Sequence, residues 1–158
     1  TVSKNKVHSV EKNFEFTLGR TVIRGSIDRI EITTDGQYVV VDFKTGAQIT
    51  AKEAPKNLQL ACYQLAVILN KLEKTVLSDE PSIAQSQLVF LSSDAVKAES
   101  MNRYRAPIDV EPVTIQLQEI AERMASSTFV AKKNPLCETC AVRIACPIFH
   151  EGKSVISK

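Results

Sequence analysis

The sequence predicts an α/β fold of the α+β kind, in which helices flank a mixed central β-sheet. Three observations predict it. Short stretches with alternating apolar residues indicate five strands, two longer stretches with helical spacing indicate two helices, and their order is β-β-β-α-β-β-α. The chain has 158 residues, of which 44% are hydrophobic and 24% are charged, so one compact domain with its own core is expected.

The first three strands are predicted over residues 14–18, 21–32 and 38–44. An Asp35-Gly36 turn folds the second strand back beside the third, as Asp-Gly pairs do in hairpins. Gly25, inside the second strand, indicates a bulge or a close backbone approach.

The second half alternates helix and strand. A helix is predicted from Asn57, its N-cap, to residue 71, with one buried side. Two strands follow, over 86–91 and 101–106, joined by residues 92–100, and a second helix runs from Pro112 to residue 126. The predicted buried side of the first helix comprises Leu58, Cys62, Leu65, Ala66 and Leu69, and that of the second comprises Ile115, Ile120, Ala121 and Met124.

Charged side chains are predicted to meet where the second and third strands run side by side. Because side chains alternate between the faces of a strand, Asp42 and Lys44 share one face. Two charges at the end of a valine-rich strand cost desolvation free energy unless they pair or bind something. The hairpin brings Asp28 beside them, and two converging carboxylates suit a hard cation such as Mg²⁺. The plainer alternative is an edge-strand ion pair with a solvated strand end.

The first helix adds two polar residues to this group. Gln59 and Tyr63 are four residues apart and therefore lie on one side of the helix. Such pairs are also common on helices without any role in a site.

Three motifs in this order resemble those of the PD-(D/E)XK nuclease superfamily, and within it the RecB-like branch. They are Gly25-Ser26-Ile27-Asp28-Arg29, Asp42-Phe43-Lys44-Thr45-Gly46 and Gln59-Leu60-Ala61-Cys62-Tyr63. The resemblance implies a restriction-endonuclease-like core with catalytic roles for Asp28, Asp42, Lys44, Gln59 and Tyr63. It also implies that Asp28, Asp42 and the backbone carbonyl of Phe43 bind Mg²⁺ or Mn²⁺.

By the same resemblance, the chain is a nuclease domain of the AddB or CRISPR-associated exonuclease kind. It would hydrolyse phosphodiester bonds of DNA as an exonuclease in repair or recombination. It would be part of a larger protein and attached to an ATP-dependent helicase domain or subunit. The alternative is a catalytically inactive or incomplete DNA-binding module with a metal-stapled C-terminus.

Three cysteines near the C-terminus follow the spacing C-x₂-C-x₅-C, namely Cys137, Cys140 and Cys146. Thiolates this close converge readily on one metal centre. RecB-like relatives carry such cysteines on a [4Fe-4S] cluster whose fourth cysteine lies before the nuclease core, and here no cysteine precedes Asp28. Zinc with His150 as the fourth ligand and thiols without metal are the alternatives, and Cys62 is interpreted as a small core residue. Residues 1–133 are predicted to form the nuclease core, and residues 134–150 the cysteine segment of the same domain.

RecB-like enzymes often add a metal ligand from a segment well before the first acid. His8, Glu11 and Glu15 are the upstream candidates here, although a ligand before Thr1 is the favoured expectation. Arg103 and Arg105 are interpreted as a solvated strand face, with DNA phosphate contacts as the alternative. The net charge of +2 permits DNA binding without arguing for it. No apolar run approaches the roughly 20 residues of a membrane span, and no signal peptide is visible, so a cytoplasmic protein without a membrane partner is expected.

Overall fold

The computed structural model describes residues 5–91, 102–126 and 130–150 of the chain. The chain divides into two compact units, Thr1–Ile120 and Ala121–Lys158. The first unit contains a five-stranded mixed sheet with the predicted order of elements, which confirms the fold class. The strands are β1 (Lys6–Leu18), β2 (Thr21–Ile32), β3 (Tyr38–Lys44), β4 (Ile83–Phe90) and β5 (Arg103–Arg105), and the helices are α1 (Leu58–Ile68) and α2 (Val110–Ala125).

The limits of β2 and β3 are those predicted, whereas other limits differ. β1 begins eight residues earlier than predicted, because a polar stretch continues the ladder with β2. α1 ends at Ile68, before the predicted residue 71, because Asn70 adopts the left-handed backbone conformation that terminates helices (φ +52°). The predicted connection over residues 92–100 and Met101 lie outside the described residues.

The strands follow each other in the sheet in chain order, with β3 at the centre. β1, β2 and β3 form antiparallel pairs, as do β4 and β5, whereas β3 and β4 are parallel. A parallel pair needs a crossover connection, and α1 provides it. The end of β3, with Asp42 and Lys44, is therefore followed directly by the loop that leads into α1.

The core lies between α1 and one face of the sheet. Tyr38 and Val40 of β3 join this core, and the register places Asp42 and Lys44 on the same face. The other face of the sheet includes the buried Glu31, whose carboxylate forms an ion pair with Arg29 at 2.7 Å.

The predicted buried side of α1 is wrong in part. Leu65 and Ala66 are fully buried as predicted, but Leu58 and Cys62 are half-buried and Leu69 is exposed. The helix is apolar around most of its circumference, so it is buried on several sides instead of one stripe. The fully buried residues include Leu60, Ala61, Gln64 and Val67.

The predicted apolar side of α2 is also wrong. Val113 and Leu117 are buried in the core, whereas Ile115 is 49% exposed and Met124 is 74% exposed. The apolar residues of α2 are spread around the helix, and the buried pair is the one with four-residue spacing that faces the core.

Gly25 has a close neighbour, but it is a side chain and not the bulge or backbone approach that the sequence predicts. The ring of Phe14, on β1, lies 2.8 Å from the position that a Cβ at residue 25 would occupy. The same ring makes an edge-to-face contact with Tyr63 of α1, at 5.7 Å between ring centroids. Gly25 thus allows β1 and β2 to approach α1 at the point where Tyr63 lies.

Candidate active site

The two predicted carboxylates meet where β2 and β3 separate. Backbone pairing between these strands ends at Arg29 and Val41. Beyond that point the Phe43 backbone N–H donates to Oδ2 of Asp28 at 2.7 Å. A side-chain carboxylate thus takes the place of a backbone carbonyl, which brings Asp28 to the end of β3 beside Asp42.

An irregularity in β2 directs Asp28 into this position. Ile27 and Ile30 belong to the same core cluster, although residues three apart lie on opposite faces of a regular strand. The alternation therefore breaks at Asp28 and Arg29. Across the β1–β2 ladder, the register places Glu11 opposite Asp28, and Glu11 has a left-handed backbone (φ +48°). Irregular strand positions of this kind are over-represented beside active sites.

Asp42 is a buried carboxylate with incomplete hydrogen bonding. Only 3% of its surface is exposed, and Lys44 Nζ lies 2.7 Å from its Oδ2. The angle of this contact is outside hydrogen-bond geometry, so the buried oxygen has an ionic partner but no well-formed hydrogen bond. Burial raises the pKa of Asp42 above its ordinary value, Lys44 counteracts this, and the nearby charge of Asp28 adds to the rise.

Gln59 and Tyr63 complete a ring of polar side chains with Asp42 and Lys44. Lys44 Nζ donates to Gln59 Oε1 at 2.8 Å, and Gln59 Nε2 donates to Tyr63 Oη at 2.9 Å. The Tyr63 phenol interacts in turn with the Asp42 carboxylate. Lys44 and Gln59 are therefore each held by two other side chains of the ring, which favours one fixed arrangement.

The ring keeps Tyr63 protonated. Burial and the negative charge of Asp42 raise the pKa of Tyr63 to about 12, although the hydrogen bond from Gln59 counteracts part of the rise. The phenol therefore keeps its proton across the neutral range, and it is unsuited to act as a base.

The predicted site residues thus lie together: Asp28, Asp42, Lys44, Gln59 and Tyr63 are contributed by β2, β3 and α1 around the end of β3. A family model of the PD-(D/E)XK nuclease superfamily matches residues 2–147. The chain belongs to this superfamily. The superfamily is one of nucleases.

Similarity of this superfamily member to individual proteins is weak. The solved structure named "Crystal structure of SSO0001" is 22% identical, with a TM-score of 0.39. The match covers 88% of this chain and 59% of that chain. This chain therefore spans less than two thirds of the length of SSO0001. No curated protein matches the chain.

The upstream candidates for a further metal ligand are not gathered around Asp42 as the ring residues are. His8 packs edge-to-face on Tyr38, at 5.4 Å between ring centroids and at the opposite end of β3 from Lys44. Glu15 faces Arg24 at 3.6 Å. Glu11 is exposed and lies opposite Asp28, as described above.

The donors at the end of β3 fit a hard divalent cation. Members of this superfamily generally use Mg²⁺ or Mn²⁺, and these ions prefer oxygen ligands. The buried Asp42 oxygen without a well-formed hydrogen bond, next to Asp28, is a donor of this kind. Among residues 5–91, 102–126 and 130–150, no three His, Cys, Asp or Glu side chains lie together to hold an ion. Two carboxylates are nonetheless compatible with Mg²⁺, which keeps several waters.

Two polar residues that hold α1 were missed by the sequence analysis or misinterpreted. Gln64 is fully buried, donates to Ser86 Oγ at 2.6 Å and accepts from the Ile108 N–H at 2.8 Å. An amide between apolar residues of a helix is a signal for such a buried network. Arg105, interpreted as part of a solvated strand face, instead donates to backbone carbonyls before α1, and Arg103 does the same in the loop after β3.

The cysteine segment belongs to the second unit, and its described part consists of two 3₁₀ turns, Pro135–Thr139 and Arg143–Ala145. All three thiols are free, and the Cys137 sulfur accepts the Asn134 N–H at 3.3 Å. Within the described ranges the cysteines are not arranged with His150 as a metal site.

No helix in the described part of the chain is long and apolar enough to span a membrane.

Proposed function

We propose that this chain is a DNA nuclease domain that depends on a divalent metal ion, with its reaction centre at the end of β3. The observation that carries the proposal is the ring of Asp42, Lys44, Gln59 and Tyr63 beside Asp28. A buried carboxylate costs free energy in the folded protein, so its retention between a lysine and a second acid indicates a chemical use.

Asp28, Asp42 and the Phe43 backbone carbonyl would hold the Mg²⁺ or Mn²⁺ ion. When bound, such an ion supplies Lewis-acid polarisation of a phosphoryl oxygen and lowers the pKa of a coordinated water. The chain prepares Asp42 for this role, because Tyr63 and Lys44 fix the carboxylate and the buried Oδ2 keeps electron pairs without a well-formed hydrogen bond.

Lys44 is the residue that we assign to the reacting phosphate. Its side chain is one-third exposed, so a substrate can reach it, and Gln59 Oε1 holds its ammonium group in place. From there it offsets negative charge that develops on the phosphorus oxygens or orients the attacking water. Gln59 is itself exposed and can contact DNA, whereas buried Tyr63 acts by holding Gln59 through their hydrogen bond.

We further propose that the domain is RecB-like and acts as an exonuclease in DNA repair or recombination, attached to an ATP-dependent helicase. The order and spacing of the three motifs support this branch. The test is to join the domain to a helicase and ask whether DNA degradation by the pair depends on ATP.

Cleavage of linear DNA tests the proposed function. Single- and double-stranded substrates labelled at one end are incubated with Mg²⁺, with Mn²⁺ and with a chelator. The wild-type chain is expected to shorten them only with metal, and Asp42→Asn should lose at least about 100-fold in rate. Asp35→Asn, in the exposed β2–β3 turn, is the matched control and should cleave normally. Equal cleavage by Asp42→Asn and wild type would refute the assignment.

An incomplete DNA-binding module is the second candidate function. The observation that favours it is that the described residues offer two converging carboxylates and not three acidic or histidine ligands. On this view the wild-type chain binds DNA at low salt but leaves every substrate intact with both metals.

The cysteine segment carries a separate proposal, that its three cysteines bind iron or zinc in the intact protein. The support is the C-x₂-C-x₅-C spacing followed by proline. Metal analysis of protein purified without oxygen tests this. About one zinc ion or four iron ions per chain are expected for the two alternatives. Protein that contains no zinc and no iron would refute both.

A further inference from the structure

Two arginines of β5 hold the loop that joins β3 to α1. Arg103 Nε donates to the Ile49 carbonyl and its Nη2 to Gln48 Oε1, both at 2.9 Å. Arg105 Nη1 donates to the carbonyls of Pro55 and Asn57, the latter at 3.3 Å. Residues 45–57 begin directly after Lys44 and end directly before α1, so both ends of this loop belong to the site.

Arg105 acts on the residue that starts α1. Asn57 is the N-cap, and its side chain accepts the Leu60 N–H at 2.9 Å. Its carbonyl accepts the Ala61 N–H at 3.2 Å and also the Arg105 guanidinium. Gln59 follows two residues later, and its Oε1 is the partner of Lys44. The guanidinium therefore bonds the backbone one turn or less from the side chain that holds Lys44.

The position of Arg105 by itself costs free energy in the folded protein. A cation close to a helix N-terminus opposes the helix dipole. The Nε of Arg105 is buried without a hydrogen-bond partner, and burial lowers the pKa of the guanidinium. A neutral residue of similar length would avoid these costs, so the carbonyl contacts of Arg105 are its evident use.

A second contact from the same segment fixes α1 further along. Gln64 Nε2 donates to the Ala106 carbonyl at 3.0 Å, and Gln64 Oε1 accepts from Ile108. β5 and the residues after it thus hold α1 at its start and at its middle. β4 pairs with both β5 and β3. The contacts from β5 therefore fix the position of α1 relative to β3, the strand that carries Asp42 and Lys44.

We propose that Arg105 is a positioning residue of the nuclease site, which fixes the first turn of α1 through the carbonyls of Pro55 and Asn57 so that Gln59 meets Lys44. The inference rests on the proposed function, because it assigns Arg105 a part in the same reaction. Arg105 does not touch the DNA on this view.

Kinetics and hydrogen exchange of Arg105→Met test the inference together. The variant is expected to lower kcat by about 10- to 100-fold, as small misplacements of reacting groups do, with KM for DNA changed less than about twofold. Backbone amides of residues 57–61 should exchange faster than in the wild type, while those of β4 should not. Arg105→Lys, which keeps a charged donor, should recover part of kcat. Arg24→Met, at an exposed arginine paired with Glu15, is the matched control and should change neither quantity.

A double variant asks whether Arg105 acts through Gln59. If it does, Arg105→Met should lower kcat little further in a Gln59→Ala background, because the two substitutions remove one arrangement. Arg105→Gln provides a second variant with the same expectations if Arg105→Met does not fold.

Several results would overturn the inference. The first is an Arg105→Met variant with unchanged kcat and unchanged amide exchange. The second is a raised KM with unchanged kcat, which indicates a phosphate contact. The third is an effect on kcat that adds to that of Gln59→Ala. Lys44→Met separates this failure from that of the proposed function. Cleavage by wild type that is lost in Lys44→Met but retained in Arg105→Met refutes the positioning role alone. If wild type cleaves nothing, the proposed function fails, and unchanged exchange in residues 57–61 refutes the positioning role independently.

Discussion

Asp42 is the residue at which the proposed chemistry and the stability of the fold are opposed. It is almost fully buried, and burial raises its pKa above the ordinary value. The contribution of this group to stability is therefore fully present below the pKa of the unfolded chain and is lost as pH rises through the folded-state pKa. At neutral pH the ionised Asp42 carboxylate therefore lowers the free energy of unfolding.

Replacing Asp42 by Asn should therefore stabilise the protein while it abolishes cleavage. We expect the Tm at pH 7–8 to rise by about 2–4 °C, which corresponds to roughly 1 kcal/mol in a domain of this size. The rise should shrink as pH falls towards the ordinary pKa of aspartate, because the wild-type carboxylate is then protonated as well. Thermal melts across this pH range measure it, with Asp35→Asn as the exposed control. A Tm below that of the wild type at pH 8 would contradict the account.

At this scale the sequence identifies charged residues better than it identifies their partners. Asp28, Asp42 and Lys44 are conspicuous because strands rarely carry charges at such positions. The bonds of Arg105 to Pro55 and Asn57, and those of Gln64 to Ala106 and Ile108, join residues more than 40 positions apart, and no local pattern in the sequence specifies such pairs.

At the scale of elements, β1 and β2 are shaped to bring Asp28 and Tyr63 to the site. Gly25 allows the Phe14 ring to pack closely, and that ring supports Tyr63. Phe14 also lines a cavity of about 670 Å³ with Arg24 and Leu72, and none of the five proposed catalytic residues lines that cavity. The contact between Phe14 and Tyr63 is thus structural support for the site.

Gly25→Ala should consequently destabilise the protein. The added methyl group would lie 2.8 Å from the Phe14 ring, so the ring or the strand must move, at a cost of about 1–3 kcal/mol. Gly46→Ala is the matched control, because nothing lies within 4 Å of the added methyl group there, and it should stay within about 0.5 kcal/mol of the wild type. Urea unfolding measures both, and equal stabilities of the two variants would show that the Phe14 contact is not tight.

Elements with a strong local signal could be predicted, and those decided by packing could not. The alternation of β2 and β3 and the Asp-Gly turn predict both strands within their observed limits. The faces of α1 and α2 were wrong because apolar residues surround both helices, and only the packed core selects which of them are buried. The break at Asp28 was not predictable, because packing alone brings Ile27 and Ile30 into one core cluster, and no local pattern in β2 marks this.

At the scale of the whole molecule, the mixed sheet explains why residues distant in sequence form one site. β3 is central, its parallel pairing with β4 requires the crossover through α1, and its antiparallel pairing with β2 brings Asp28 alongside. The order of elements predicts a mixed sheet with flanking helices, but not which strands are parallel. Among the described residues the three cysteines of the second unit are not gathered as a metal site, so metal binding there stays a prediction.

The most direct test of the account is the single-turnover rate of DNA cleavage by Lys44→Met, compared with wild type at saturating Mg²⁺ or Mn²⁺. Methionine keeps most of the side-chain volume and removes the charge that we assign to the reacting phosphate. The rate should fall by about 100- to 1,000-fold, the loss typical of one positioned electrostatic group, while the Kd for DNA changes little. A Lys44→Met variant that cleaves at the wild-type rate would contradict the account at its centre.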